Sequence, residues 1–103
     1  MYYMMINLLE ENLSKYIKFH KPNGGLVIYC EILDSRISSR KLFNYCLNKE
    51  ILITPAVLFY NIYRIGDKYF RLSFSSVKED EMKKGIICLR EVFEELYEEL
   101  GIY

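Results

Sequence analysis

Arg71 is the residue of this 103-residue chain whose type and position are best suited to binding chemistry. Around it, large apolar residues alternate with polar ones, Phe70, Leu72 and Phe74 against Arg71, Ser73 and Ser75. Such alternation predicts a strand with one face in a core. The planar fork of an arginine binds a carboxylate through two parallel charge-assisted hydrogen bonds. We therefore interpret Arg71 as a solvent-exposed binding group for an anionic ligand. An ion pair with a glutamate of the same chain is the structural alternative.

Other residues that could do chemistry lack the neighbours that the chemistry needs. His20 is the only histidine, so a His-based catalytic triad or metal cluster cannot be assembled around it. We therefore predict that His20 is a structural residue on the face of a strand. Ser38 and Lys41 match Ser-x-x-Lys, but they lie at a helix start and no partner motif follows, so we interpret Ser38 as a cap. Gly24 and Gly25 precede a strand, not the helix N-terminus that a phosphate cradle requires. We expect no catalytic, cofactor-binding or metal-binding residue here.

Composition indicates one globular domain without a general affinity for nucleic acid or membranes. Hydrophobic residues make up 51% of the chain, and 14 basic side chains balance 14 acidic ones. A binder of nucleic acid or membrane surfaces would carry excess cations. Three separated cysteines, Cys30, Cys46 and Cys88, predict buried thiols in a reducing compartment, which favours the cytoplasm. The apolar run Met4–Leu9 is too short to span a bilayer.

Periodicity and turn signals predict the elements that would position Arg71. Helices are predicted over residues 1–13, from Ser38 or Ser39 to about residue 49, and from residue 77 to Leu100. Strands are predicted over Tyr16–His20, Leu26–Leu33, Ile51–Thr54 and Tyr69–Ser75, with an irregular segment over Ala56–Lys68. Ser76 and Glu79 form a capping box before the last helix, and Gly101 ends that helix.

The order helix, strand, strand, helix, strand, strand, helix predicts an α+β domain spanning residues 1–103. Its small, mostly antiparallel sheet would pack against the helices. A ferredoxin-like module is the competing topology.

Two apolar segments lack an obvious partner within this length. The helix Met1–Leu9 has no visible cap, which suggests an element continuing from something upstream, and Val57–Tyr60 is apolar throughout. Large exposed apolar patches usually mark interfaces. We expect both segments to cover a partner.

Three motifs, in their order and spacing, resemble a known series. They are Phe19–Ile28 with its Pro-Asn-Gly-Gly turn, Ile53–Phe59 with its proline, and Tyr69–Ser75. From about residue 5 to residue 100 the chain is similar to the C-terminal small domain of fold-type I aminotransferases, which use pyridoxal phosphate. It looks most like the branch shared by aminoadipate and aromatic aminotransferases and by MocR-type GntR regulators.

The resemblance implies an α/β sandwich and roles for five residues. In the family, the arginine matching Arg71 binds the substrate α-carboxylate, and the segment matching Asn23, Gly24, Gly25 and Leu26 borders the substrate pocket with the loop after Pro55. The family usually has glycine where this chain has Ala56. The Schiff-base lysine and the phosphate contacts belong to the family's large domain, and no lysine here stands in that context.

Several functional interpretations follow from the resemblance. The chain would be part of a longer aminotransferase, inactive without its pyridoxal-phosphate-binding large domain. That protein would act on an amino acid or 2-oxo acid as a cytoplasmic homodimer with no membrane contact. Alternatively, the chain would sense an effector in a GntR-type regulator that binds DNA through a separate N-terminal domain. A non-catalytic interaction module is the third interpretation.

Overall fold

The computed structural model describes residues 2–20, 27–48, 57–61, 67–74 and 79–102. These ranges contain three helices and four strands in the order helix, strand, strand, helix, strand, strand, helix, and the third strand is not the one that was predicted. The helices are α1 (Tyr2–Leu13), α2 (Ser39–Asn48) and α3 (Glu79–Leu100). The strands are β1 (Ile17–His20), β2 (Val27–Ile32), β3 (Val57–Asn61) and β4 (Tyr69–Phe74).

The four strands form one sheet in the order β1-β2-β4-β3, and every pairing is antiparallel. This confirms the predicted α+β class, with β1 at one edge and β4 in the interior of the sheet. Inward residues of β1, β2 and β4 share one hydrophobic core with residues of all three helices. No helix among the described residues combines the length and apolarity that a bilayer crossing requires.

Alternation along the strands decides which side of the sheet meets this core. In β2, Ile28 and Cys30 are buried while Tyr29 between them is exposed. In β4, Phe70 and Leu72 are buried. These residues are in register, Cys30 opposite Phe70 and Ile28 opposite Leu72. The helices therefore cover one sheet face, and the other face is left to polar and aromatic side chains.

Helix α1 finds its partner within the chain, so the expectation that it lacks internal burial is wrong. Met5, Leu9 and Leu13 are buried, and α1 packs against α3. The apolar stripe at spacings of four meets the matching stripe of α3. At the edge of this contact, the Arg90 guanidinium donates a 2.7 Å hydrogen bond to Asn12 Oδ1.

Strand β3 occupies part of the segment that was predicted to be irregular. Val57–Asn61 pairs with β4, Phe59 opposite Leu72 and Tyr60 opposite Arg71. The residues at the start of β3 are all apolar or aromatic, so no period-two alternation is visible in the sequence. Their β-branched and aromatic types nevertheless favour a strand that is paired with a neighbour. The predicted strand Ile51–Thr54 lies outside the described residues, and so does Ser76 of the predicted capping box.

Two of the described helix ends, the start of α2 and the end of α3, have the predicted caps. Ser38 Oγ accepts a 3.0 Å hydrogen bond from the Lys41 backbone N–H, which confirms its role as the N-cap of α2. At the end of α3, the Gly101 N–H bonds the Glu98 carbonyl at 3.2 Å and the Ile102 N–H bonds the Tyr97 carbonyl at 2.8 Å. This pair of bonds is a Schellman motif, and Gly101 adopts the left-handed conformation it requires, with φ 68°.

Replacing Gly101 by alanine is expected to lower the free energy of unfolding by about 1 kcal/mol, because a Cβ disfavours the left-handed conformation. Apart from the adjacent residues of the chain, no atom lies within 4 Å of the Cβ that alanine would add, so the cost comes from the backbone conformation. Asparagine tolerates this conformation better, and Gly101→Asn should lose less. Urea denaturation followed by circular dichroism measures both changes. Equal stability of the alanine variant would contradict the described cap.

Candidate functional site

Arg71 lies on the sheet face that the helices leave uncovered. Its neighbours in β4, Phe70 and Leu72, are 0% and 1% exposed, so strand alternation directs Arg71 to the opposite side. This places the arginine on the predicted face. The side chain is half-buried rather than largely exposed. β4 is flanked by β2 and β3, and neighbours on both sides of an interior strand cover more of a long side chain than an edge would.

A row of four residues crosses the sheet at the level of Arg71. The register places His20 of β1 opposite Tyr29, Tyr29 opposite Arg71, and Arg71 opposite Tyr60 of β3. His20 is exposed, and Tyr29 is 49% exposed. Directly paired residues on one face have Cβ atoms about 4.5–5.5 Å apart. Arg71 is therefore within reach of Tyr29 on the same surface.

We call this surface the open face and define it by the described outward residues of β1, β2 and β4, which are Lys18, His20, Tyr29, Glu31, Tyr69 and Arg71.

The acidic group of the open face is engaged by a lysine. Lys68 Nζ lies 3.1 Å from Glu31 Oε1, and this contact raises the pKa of Lys68. The same ammonium lies 5.3 Å from the centre of the Tyr69 ring. Glu31 stands opposite Tyr69, one row from the pair of Tyr29 and Arg71. Lys68 thus partly neutralises the negative charge of Glu31, which reduces the repulsion that Glu31 would exert on a carboxylate ligand at Arg71.

The other predicted pocket residues, Asn23, Gly24, Gly25 and Leu26, lie outside the described residues, as does Pro55. In sequence, their segment follows His20 and precedes Val27, the flanking residues of the antiparallel β1–β2 pair. Their predicted role in a substrate pocket remains a prediction.

The two buried thiols, Cys30 and Cys46, are not disposed for nucleophilic chemistry. Cys30 and Cys46 are buried, as predicted, while Cys88 is half-buried, and all three are free. Burial raises the pKa of Cys30 far above its usual range and that of Cys46 to about 11, with Cys88 nearby as a second cause. At neutral pH both buried thiols are therefore protonated. Among the described residues, no group of three metal-ligating side chains comes together.

Tyr29 is the residue of this face that sequence reasoning missed. Ile28, Cys30 and Ile32 are inward and buried, with Tyr29 and Glu31 between them. This alternation was a readable signal. The overall apolarity of Leu26–Leu33 obscured it, because tyrosine counts as apolar in a run although one end of its ring carries a hydroxyl.

Comparison with known proteins confirms the resemblance to aminotransferases and to a transcription regulator. The chain is 26% identical over 91 residues to aromatic-amino-acid aminotransferase 1 of Thermococcus litoralis, a match that covers 88% of this chain and 21% of that protein. It is 29% identical over 93 residues to an uncharacterized HTH-type transcriptional regulator of Bacillus subtilis, which covers 90% of this chain and 18% of the regulator. No family model matches.

Solved structures share the fold. The α-aminoadipate aminotransferase of Thermus thermophilus superposes with a TM-score of 0.75 at 20% identity, over 94% of this chain and 24% of that one. The kynurenine aminotransferase of Pyrococcus horikoshii gives a TM-score of 0.70 at 28% identity, over 92% and 23%. The chain thus spans about a fifth of the length of the curated relatives that it matches.

Proposed function

We propose that this chain is the substrate-carboxylate-binding domain of a pyridoxal-phosphate-dependent, aminotransferase-like protein, with Arg71 as the binding residue. The chain matches only about a fifth of the aminotransferase of Thermococcus litoralis, so the remaining machinery would lie in a larger domain. We further propose that the whole protein is a cytoplasmic homodimer that acts on amino acids or 2-oxo acids.

The observation that carries this proposal is the position of Arg71 on the open face. A guanidinium that serves only the fold is expected either at the periphery, where solvent satisfies it, or in an ion pair with a carboxylate of the same chain. Here it stands in β4, one of the two interior strands of the sheet, half-buried, with an exposed tyrosine directly opposite. Partial burial lowers the local dielectric and strengthens a bidentate contact with a carboxylate. A rigid strand also fixes the direction of the fork.

We propose that this chain does not itself hold pyridoxal phosphate. Pyridoxal phosphate supplies an electron sink for reactions at the amino-acid α-carbon when a protein lysine and phosphate donors hold it. On and beside the open face, Lys18 is exposed and Lys68 is engaged with Glu31. Neither is a lysine set in a water-excluding pocket. The proposed contribution of this chain is therefore substrate binding alone.

Arg71 would orient the substrate and would take no part in forming or breaking its bonds. Two parallel hydrogen bonds from the guanidinium fix both oxygens of the carboxylate and leave the α-carbon in one orientation. Holding a reactant in a productive geometry can supply several kcal/mol of a barrier. The proton transfers would belong to groups of the other domain.

Sensing in a transcription regulator is the second candidate function. The observation that favours it is the 29% identity to an HTH-type transcriptional regulator over 90% of this chain. In that setting Arg71 would bind an amino-acid effector, and a separate domain would bind DNA. The open face makes the same contact in both settings, so one binding experiment tests the shared step.

The test is a titration of the isotope-labelled 103-residue chain with pyruvate, followed by backbone amide NMR. Amides of β2 and β4 near Tyr29 and Arg71 should shift in a saturable way, and Arg71→Ala should abolish the saturable shifts. We expect this variant to stay folded and to lose less than roughly 1 kcal/mol of stability, because the side chain is not in the core.

Arg40→Ala is the matched control, since it removes an equal charge from an exposed position on α2. It should leave the pyruvate titration unchanged. Equal loss in both variants would point to non-specific charge attraction and would contradict the proposal. An Arg71→Ala variant that still saturates like the parent chain would contradict it as well.

A further inference from the structure

We propose that a cleft beside the end of α3 binds a small protonated primary amine. The cleft has a volume of about 380 Å³, and its walls come from α3, from the connection between α1 and β1, and from the residue that follows Gly101. Its lining residues are Lys15, Tyr16, Glu94, Tyr97, Glu98 and Ile102. Helix α3 covers the sheet face opposite to Arg71, so this site is separate from the open face and does not depend on the proposed function.

Two tyrosine hydroxyls in the cleft have no partner within the described fold. Tyr16 is 7% exposed, and its ring stacks on Phe93 at 5.2 Å and meets Tyr97 edge-on at 5.0 Å. Neither the Tyr16 nor the Tyr97 hydroxyl forms a hydrogen bond with any of the residues that the structure describes. A buried tyrosine hydroxyl usually has a hydrogen-bond partner. Both oxygens can therefore accept hydrogen bonds from the N–H groups of a ligand.

The charges around these hydroxyls favour a cation. Burial raises the pKa of Tyr16, and the carboxylate of Glu94 raises it further. Burial also raises the pKa of Tyr97, and the carboxylate of Asp34 acts in the same direction. Each of these carboxylates is paired with an arginine, which offsets part of its effect. A negative potential that disfavours a phenolate attracts an ammonium group.

The end of α3 adds to this negative potential. The last turn of a helix carries a partial negative charge, which a basic side chain would offset. Helix α3 has no basic residue in its last turn and has Glu98 and Glu99 there instead. Within the described part of the chain, Glu98 at the rim of the cleft makes no ion pair. An ammonium in the cleft would compensate both the helix end and this carboxylate.

Lys15 shows that an ammonium is accommodated beside these rings. Its Nζ lies 5.7 Å from the centre of the Tyr16 ring, near the outer limit of a cation–π contact. The Lys15 side chain is exposed, so it is free to move aside when a ligand enters. The ring of Tyr16 and the side chain of Ile102 supply apolar surface for the carbon chain of the amine. Lys15 competes with the ligand, because the two carry the same charge.

The test is a backbone amide NMR titration of the isotope-labelled chain with butylammonium chloride, and 1-butanol is the neutral probe of similar shape. Butylammonium should shift the amides of Tyr16, Tyr97 and Ile102 in a saturable way, and 1-butanol should not. Tetramethylammonium has the charge but no N–H group. It should bind about 10-fold more weakly, because it cannot donate to the tyrosine hydroxyls.

Substitutions separate the contributions of the hydroxyl and of the charges. Tyr16→Phe keeps the ring stack and removes the hydroxyl, so it should weaken butylammonium binding about 10-fold. Glu98→Gln should weaken it about 3-fold, and Lys15→Gln should tighten it about 2-fold. Two matched controls should change nothing: Tyr29→Phe on the open face and Glu79→Gln at the opposite end of α3.

Several results would overturn the proposal. These are the absence of saturable shifts with butylammonium, equal affinity for 1-butanol, and unchanged binding in Tyr16→Phe. Nα-acetyl-lysine methylamide presents the same ammonium on a peptide, and tighter binding of this probe would replace the free amine by a lysine of a partner protein. Arg71→Ala should leave the butylammonium titration unchanged, so failure of the amine site and failure of the carboxylate site are distinguishable.

Discussion

Replacing Phe93 by alanine is expected to lower the free energy of unfolding by about 3–5 kcal/mol. Phe93 is 0% exposed in the middle of α3 and stacks on Tyr16 with an interplanar angle of 11°. The substitution removes this aromatic contact and leaves a cavity between α3 and the segment that joins α1 to β1. Small domains have a total stability of roughly 5–15 kcal/mol, so the loss is a large part of the whole.

Urea denaturation followed by circular dichroism would measure this change. Phe93→Leu keeps part of the volume and should lose less, which preserves the test if the alanine variant fails to fold. Glu91→Ala, on the exposed side of the same helix, should stay within about 0.5 kcal/mol of the parent chain. A loss below about 1 kcal/mol in Phe93→Ala would be incompatible with the described packing of α3.

The elements with a strong period were predictable from the sequence. In α3, the stripe that includes Met82, Ile86, Leu89 and Phe93 is buried, while the predicted wet side is exposed. In β4, the alternation around Arg71 predicted both the strand and the face of the sheet on which Arg71 lies. These patterns were informative because each element buries one face and exposes the other. Hydrophobic residues then recur with the period of the helix or strand.

The position of β3 was not predictable from its own residues. Val57, Leu58, Phe59 and Tyr60 are all apolar or aromatic, so the run has no period to detect. What makes it a strand is its pairing with β4. That pairing is a contact between segments, which single-sequence patterns do not contain.

The burial of α1 was missed for a related reason. A helix with a broad apolar stripe needs a partner, but its sequence does not name that partner. Here α3 supplies it, since the 22 residues of this helix offer a long apolar face. The absence of a visible cap was therefore a poor guide to burial, because tertiary packing contributes more to helix stability than the ends do.

Arg71 was identified from the sequence, but the row that contains it was not. A strand pattern states which face a residue occupies, whereas register states which residues of other strands stand beside it. Tyr29 became part of the candidate site only through its pairing with Arg71.

In a longer protein that includes a pyridoxal-phosphate-binding domain, Arg71→Ala is expected to weaken amino-acid binding by about 30-fold or more. Removing one partner of a desolvated, hydrogen-bonded charge pair costs roughly 2–5 kcal/mol. Arg71→Lys should recover only a small part of this loss, since an ammonium cannot reproduce the two parallel hydrogen bonds of the fork. The amino-acid dissociation constant can be followed through the absorbance of the bound cofactor, and the assay is the same for an enzyme and for a regulator.

Two features of the result would identify carboxylate binding as the cause. The cofactor absorbance without amino acid should be unchanged in both Arg71 variants, because we propose that Arg71 contacts the amino acid and not the cofactor. Primary amines that lack the carboxylate should bind the variants and the parent protein equally, since Arg71 has nothing to hold in them. If Arg71→Lys binds amino acids as tightly as the parent protein, the bidentate contact does not exist, and if Arg71→Ala does so too, Arg71 serves the fold rather than the ligand.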